Sequence, residues 1–521
     1  MTALYASVLV LTAAGAATGT LRFLRVAQRE HYLAGESSRF AWRWWSQSPD
    51  NRLVGLAGIL AALASSFFPP VAVVAGAVSA AAPRRLGLRG RTGRLAWTRR
   101  LTTVAVVAYA LEAIAVGLGA VGGGLGGADL AAGLVAMLVP LAVDGALVLT
   151  RPVEEVLARR FVARARARLE RIAPLTIAVT GSYGKTTVKG YIAHLVGGYK
   201  TVLPSPKSFN NRAGLARTVN ELLGPATEVF VAEMGTYGPG EIADMCSWVR
   251  PEISVLTAIG PAHLERFKSL DRTLAAKSEI TETARVVVVN ADDERLGGLA
   301  RALSGSGRKV IGASGASEVA DVAVLAVEDG LELKLAGRRV GVASLAPGEA
   351  PTALSNAAVA AAVAMEVGVP PEEVLARLAS LPVPANRLQR YVAEGGYVVL
   401  DDTFNSNPTG ARLALQRLRD DPGVSPSGRR VVVTPGMVEL GPIQREENAA
   451  LGEAAARLAD HVLVIARTNR VALAEGAARA GAGAAAVVTL DRLDEALEWV
   501  RANLGPGDAV LYENDLPDHY P

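Results

Sequence analysis

The stretch that most constrains this chain is Thr176 to Val188, TIAVTGSYGKTTV. Apolar and β-branched residues run into a Gly-x-x-Gly-Lys-Thr turn, after which the pattern becomes helical through Lys189 to Val196. Strand, glycine loop and helix in that order predict an α/β unit with the loop at the strand's carboxyl end. Gly181 and Gly184 let the backbone bend close to an anion, and the amides from Ser182 onward and the helix N-terminus face it. Lys185 neutralises charge, and a hydroxyl from Thr186 or Thr187 can reach a divalent cation. A short glycine loop can equally be a structural turn. The strand context and the charged motifs downstream favour the phosphates of ATP.

At 521 residues the chain is too long for one ordinary core, and two to four domains are expected. A single cysteine, Cys246, excludes an internal disulfide and fits a reducing compartment. The net charge of +4 is unevenly spread. Residues 1–173 hold 20 Arg, no Lys and 9 acidic residues, a surplus of +11 that leaves −7 for the remainder. Such a basic region suits nucleic acid or a membrane surface, and the apolar runs between its arginines decide for the membrane.

Ala3 to Leu21, Leu101 to Gly122 and Leu130 to Thr150 each approach the ~20 residues a helix needs to cross a bilayer. The first has no basic residue before it and is followed by further apolar segments, so it reads as a retained span rather than a signal peptide. Leu53 to Ala82 is broken by Phe67-Phe68-Pro69-Pro70 into halves that suit a hairpin or re-entrant pair. The Arg-rich loops Arg22 to Arg52 and Arg84 to Arg100 are expected on the cytoplasmic side, and Gly123 to Asp129, without a basic residue, outside. Glu112 and Asp144 fall inside apolar runs, where an ionisable group marks a pathway or simply faces another helix. Arg151 to Arg171 makes a basic amphipathic linker, suited to an anionic leaflet or to solvent.

Beyond the phosphate loop, TEVFVAE at Thr227 to Glu233 reads as a buried strand ending in a carboxylate. In open α/β sheets ligands collect at the carboxyl ends of strands, so Glu233 is placed to hold a nucleotide-bound metal. Glu252 to Ala258 is a further strand delivering His263, and Val286 to Val289 another ending at Asn290. Alternation of strands with helices implies a mainly parallel, helix-covered sheet. Between Arg308 and Ala350 short alternating strands suggest a β-rich elaboration of the same domain. Pro382-Val383-Pro384 makes a hinge, and from Tyr397 the βα pattern restarts.

The ordered set TGSYGKTT, SFNNRAGLA, VAEMGTYGPGEI, GPAHLERF, AAKSEI, NADD, NAAVAAA, NRLQRY, LDDTFNSNP and GMVELG, spanning Leu175 to Gly441, resembles the Mur ligases, ATP-dependent amide-forming enzymes of peptidoglycan precursor synthesis. Within that family it looks most like the MurF type, the UDP-N-acetylmuramoyl-tripeptide–D-alanyl-D-alanine ligases. The resemblance implies that Gly181, Ser182, Gly184, Lys185, Thr186 and Thr187 serve the phosphates, with Thr186 and Glu233 on a first Mg2+. It implies His263 on a second Mg2+, with Lys277 carbamylated by CO2 into a metal-binding carboxylate. Asn356 matches an adenine contact, Arg387 would reach the γ-phosphate from the C-terminal domain, and Asp402 would approach the ribose. Ser208, Asn210, Asn211, Asn405 and Asn407 lie in stretches associated with substrates. Lys185, His263, Lys277 and Arg387 are the implied catalytic set.

The fold class expected is α/β: transmembrane helices over 1–150, a basic linker over 151–173, a P-loop parallel-sheet domain over 174–385 and a Rossmann-like domain over 386–521. Two departures from the resemblance stand out. Membrane segments occupy the place of a UDP-sugar-binding domain, and the chain ends in LYENDLPDHYP instead of a lysine-glycine-serine-containing end. The expected protein is a multi-pass ligase of the cell membrane with its catalytic domains in the cytoplasm. Its acceptor would be a muramyl peptide or a lipid-linked equivalent, its second substrate an amino acid or dipeptide amine, and nucleic acid no partner. A poly-glutamate or capsule-type amide ligase and a nucleotide-binding scaffold without turnover are the alternatives.

Overall fold

The computed structural model describes residues 2–516 apart from 31, 48, 83–88, 91–92, 207–208, 346–352, 383–385 and 482–483; of the hinge expected at Pro382-Val383-Pro384, residues 383 and 384 therefore lie outside the described residues. The chain divides into two compact units, one ending at Arg159 and one running from Arg160 to Leu516.

The first unit is helical: α1 (Thr2–Arg29), α2 (Glu36–Gln47), α3 (Pro49–Ala64), α4 (Ala72–Ala81), a small hairpin of β1 (Arg89–Gly90) and β2 (Gly93–Arg94), and most of α5 (Arg99–Ile172). Proline cannot donate to a helix ladder, and the break it imposes at Pro69-Pro70 separates α3 from α4. At 16 and 10 residues these two are short for a crossing, and they pack against one another. Small residues let α1 and α4 approach closely: a Cβ on Gly15 would overlap the backbone of Gly76.

The loop expected over Gly123 to Asp129 shrinks to an interruption of α5 at Gly123 and Gly124. Gly124 sits at φ 61°, ψ −147°, a conformation essentially confined to glycine. On either side the arms meet where Gly119 and Gly127 leave room for each other's backbone. Glu112 accepts a hydrogen bond from Thr20 of α1 at 2.5 Å. Asp144 accepts from the Ser38 amide at 2.9 Å and the Ser38 hydroxyl at 2.5 Å, capping α2. Both ionisable groups of the apolar runs therefore face a neighbouring helix. Against the three spans and a hairpin expected, two helices among the described residues, Ala3–Arg29 and Arg99–Ile172, are long and apolar enough to cross a membrane.

The second unit opens with the end of α5. Val162, Ala165 and Leu169 are buried with Leu215, Val219 and Leu223, and the Arg168 guanidinium donates to the Leu223 carbonyl at 2.8 and 2.5 Å. The basic stretch thus ends as part of a packed core. Strands β3 (Leu175–Thr180), β4 (Val202–Pro204), β5 (Val229–Glu233), β6 (Ile253–Leu256), β7 (Val286–Asn290), β8 (Lys309–Ser314), β9 (Val322–Val327), β10 (Gly330–Leu335) and β11 (Arg338–Ser344) form one nine-stranded sheet. Its order is β11-β10-β9-β8-β7-β6-β3-β5-β4, parallel from β4 through β9, with β10 and β11 added antiparallel. The β-rich stretch after Arg308 extends the central sheet rather than founding a new one. β5 and β7 are buried along their whole length, as strands covered on both faces must be, and for that reason they read as apolar runs up to the polar residue that ends each.

A second sheet is built from β12 (Gln389–Val392), β13 (Val398–Asp402), β14 (Arg430–Thr434), β15 (His461–Ile465), β16 (Ala486–Leu490) and β17 (Ala509–Glu513), in the order β12-β13-β17-β14-β15-β16. All pairs are parallel except the edge pair β12 and β13. Chain reversal through helices such as Pro408–Asp420 and Gln444–Leu458 leaves the loops after β13, β14 and β17 on one rim.

Candidate active site

The glycine loop leaves β3 at Gly181, whose φ of 154° and Gly184's of 79° admit the tight path. Helix α6 (Lys185–Gly197) begins directly after it. The loop is braced from the neighbouring strand: the Thr257 hydroxyl donates to the Tyr183 carbonyl, and the Gly260 amide donates to the Ser182 hydroxyl at 2.9 Å. A Cβ at Gly184 would collide with the Asn356 side chain, so Asn356 flanks the loop. The Lys185 ammonium lies back over the loop, donating to the Gly181 carbonyl at 2.7 Å. Burial, the larger effect, and the charge of Arg387 push this lysine down to about 8, against the pull of Glu233.

Glu233 is the end of β5 and is 1 % exposed. Its Oε2 accepts from the Thr186 hydroxyl at 3.0 Å and pairs with the Lys189 ammonium at 2.9 Å, while Oε1 accepts from Asn210 at 3.2 Å. Burial alone would raise its pKa, but Lys189 and Lys185 outweigh it and hold the carboxyl below its ordinary value. From the turn just before β12, Arg387 reaches the same threonine, with Nη2 3.4 Å from the Thr186 oxygen and its guanidinium stacked 4.2 Å from the Phe404 ring. Thr186 is thus the point where the glycine loop, the strand-end carboxylate and the arginine before β12 meet.

Lys277 is 3 % exposed near the end of the helix Leu270–Ser278. Burial, the larger effect, and the nearby charge of Lys185 push its pKa well below the usual lysine range. His263 has a left-handed backbone at φ 55°. Its ring lies edge-on to Tyr237, with centroids 4.9 Å apart, and its Nδ1 pairs with the Glu439 carboxylate.

Oxygen donors placed side by side, the Thr186 hydroxyl and the Glu233 carboxylate, suit a hard cation such as Mg2+. Among the described residues no three His, Cys, Asp or Glu side chains converge as a ready-made cage. At the second rim, Asp402 accepts from the Leu388 amide at 3.0 Å, and burial pushes it up to about 6. It stands in register with Glu513, which burial and Asp402 together hold well above the carboxylate range.

Other sequence candidates have local tasks. Asn211 caps the helix Arg212–Leu222 through Gly214, and Asn407 caps Pro408–Asp420 through Gly410, each at 2.9 Å. Asn405 is exposed on the loop after β13, Thr187 is half-buried on α6, and Ser208 lies outside the described residues. Sequence reasoning missed Lys189, Thr257, Glu439 and Glu513. Lys189 was visible as the residue one helical turn past Lys185, and Glu439 lay within GMVELG. Glu513 carried no signal but its departure from a lysine-containing end.

Comparison with known proteins gives the class, an ATP-dependent, ADP-forming amide ligase, and the family. Residues 179–364 match the Mur ligase middle domain and residues 386–512 the Mur ligase, glutamate ligase domain. A UDP-N-acetylmuramoyl-tripeptide–D-alanyl-D-alanine ligase of Mycobacterium leprae is 32% identical over 362 residues, 64% of this chain and 70% of that protein. The Escherichia coli protein of the same name is 30% identical over 361 residues, 66% of this chain and 78% of its own. The chain belongs to the Mur ligase family. In fold it is similar to a MurF ligase of Thermotoga maritima in complex with ADP, with a TM-score of 0.58 at 23% identity, covering 69% of this chain and 80% of that one.

Proposed function

We propose that this protein is a membrane-anchored MurF-type ligase that joins a muramyl-peptide carboxylate to D-alanyl-D-alanine or a similar amine. The observation that carries the reading is the convergence on Thr186 of Glu233 from the central sheet and Arg387 from the turn before β12. A carboxylate is a poor acyl donor. Its oxygen attacks the γ-phosphorus of ATP, ADP leaves, and the acyl phosphate forms. The amine nitrogen, having lost a proton, then attacks the acyl carbon; the C–N bond forms, the C–O bond to phosphate breaks, and inorganic phosphate departs. Negative charge builds in both steps, and Lys185 and Arg387 are the cations placed to meet it.

Mg2+ bound by Thr186 and Glu233, and a second ion at His263, would supply further charge neutralisation to the phosphates. In this reading Lys277 takes up CO2: its neutral amine forms an N–C bond, sheds a proton and becomes a carbamate anion able to ligate metal. A carbamate 13C resonance should grow in protein equilibrated with 13C-bicarbonate and be missing from Lys277→Met. If both spectra match, Lys277 is not modified.

Anchoring is supported by apolar side chains that the first unit leaves uncovered, Trp42 at 74 %, Phe67 at 93 % and Val121 at 89 % exposure among them, and by its two long apolar helices. The arginine-rich stretches, of which Arg22 to Arg52 is mostly helical in α1, α2 and the start of α3 rather than the loop expected, support a catalytic unit on the cytoplasmic side. An acceptor already linked to lipid would then be met at the membrane face. ADP release and product mass should be followed with D-alanyl-D-alanine and a panel of soluble and lipid-linked muramyl peptides. Turnover that Lys185→Ala abolishes supports the ligase; ATP binding without ADP release for any pair refutes it. Equal rates on soluble and lipid-linked acceptors, unchanged when residues 1–159 are removed, refute the membrane-held acceptor.

A further inference from the structure

His263 is clamped from two directions. Tyr237, on the loop after Glu233, meets its ring edge-on, and Arg266 lies 4.8 Å from the Tyr237 ring centre, holding that aromatic in turn. From the other side comes Glu439, on the loop that follows β14 of the second sheet. Its carboxylate pairs with His263 Nδ1, and its backbone carbonyl accepts from the Glu265 amide at 3.2 Å. Gly441, at φ 59°, packs so closely on Glu265 that a Cβ there would lie 3.1 Å from the Glu265 nitrogen. Both His263 and Glu439 hold left-handed backbone, at 55° and 64°, conformations that cost a non-glycine residue energy and persist where surrounding contacts enforce them.

A carboxylate accepts and cannot donate, so Nδ1 carries the hydrogen of that bond, which leaves Nε2 as the ring nitrogen able to offer a lone pair to a metal. Metal-binding histidines are commonly held in this way, with the far ring nitrogen donating to a carboxylate that fixes the tautomer and raises basicity. We propose that Glu439 is a positioning residue for the second divalent cation, supplied by the C-terminal sheet to a histidine of the ATP-binding sheet. The second ion's site is therefore complete only when the loops of the two sheets meet. The inference rests on the reading that His263 holds that ion.

The test is Mn2+ binding to the full-length chain in detergent with a non-hydrolysable ATP analogue, free Mn2+ being followed by electron paramagnetic resonance. The native protein should bind two ions. Glu439→Ala should weaken one of them by about 10–100-fold and leave the other unchanged; the retained ion at Thr186 and Glu233 reports a folded site. Glu439→Gln, which keeps an acceptor oxygen for Nδ1–H, should recover most of the loss, and His263→Ala should lose the same ion. Native affinity for both ions in Glu439→Ala, with one ion lost from His263→Ala, overturns the role of Glu439 alone. Equal weakening of both ions in Glu439→Ala and Glu439→Gln overturns it too. Two ions retained by His263→Ala removes the underlying reading, and the inference with it.

Discussion

Thr186, Lys189 and Asn210 all bond to Glu233 in a place with almost no solvent. The pair with Lys189 is buried on both sides, at 2 % and 6 % side-chain exposure. Breaking such a pair from one side leaves a lone charge in the core and costs about 3–5 kcal/mol, while removing both charges costs less. Glu233→Gln and Lys189→Met should each lower the thermal midpoint markedly. The double variant should lose clearly less than the two single losses combined, as a thermal double-mutant cycle would measure. Sequence reasoning placed Glu233 because a carboxylate closing an apolar strand sits where an α/β sheet gathers its ligands. It passed over Lys189 because a lysine on a helix is ordinarily solvated, and only the strand beside it turns this one inward. The same limit applies to His263 and Glu439, which lie far apart in the chain and are joined by the packing of two sheets.

Single elements were legible in proportion to how completely they are buried. β5 and β7 could be read directly, because strands covered on both faces are apolar along their length up to the polar residue that ends each, Glu233 and Asn290. The edge strand β12, exposed along its length, and β16, largely so, gave no such pattern and went unnoticed. The end of α5 was read as a basic amphipathic linker facing an anionic leaflet or solvent, whereas its apolar face, Val162, Ala165 and Leu169 at helical spacing, packs into the core of the second unit. On the rim of the second sheet, β13 and β17 end side by side in Asp402 and Glu513, and Glu513 is fully buried with one oxygen lacking a partner. An acid whose folded pKa is raised binds protons more tightly when folded, so it costs nothing below the unfolded value near 4.5 and destabilises increasingly as pH rises above it. Glu513→Gln should therefore leave the melting temperature nearly unchanged at pH 4 and raise it at pH 8. A uniform shift at both pH values would show that Glu513 is not protonated in the fold.

At the scale of the molecule, the boundary between the units falls inside α5, and its position decides where a shortened catalytic chain can start. A chain beginning at residue 160 keeps the three side chains that cover the helix Arg212–Leu222 and the guanidinium of Arg168 on Leu223. One beginning at residue 174 loses them, at about 1.5–3 kcal/mol for each large apolar side chain uncovered. The longer version should run as a discrete species on size exclusion and melt cooperatively, and the shorter should melt several degrees lower or aggregate. The buried pair of Lys189 and Glu233 also governs how the whole enzyme is charged with its fuel. An ammonium already answers the carboxylate, so a bare divalent ion meets a centre with no net negative charge to draw it out of water. Order of addition follows: nucleotide and ion enter as one chelate, and calorimetric titration with Mg2+ alone should give no heat at this site until ATP or an analogue is present.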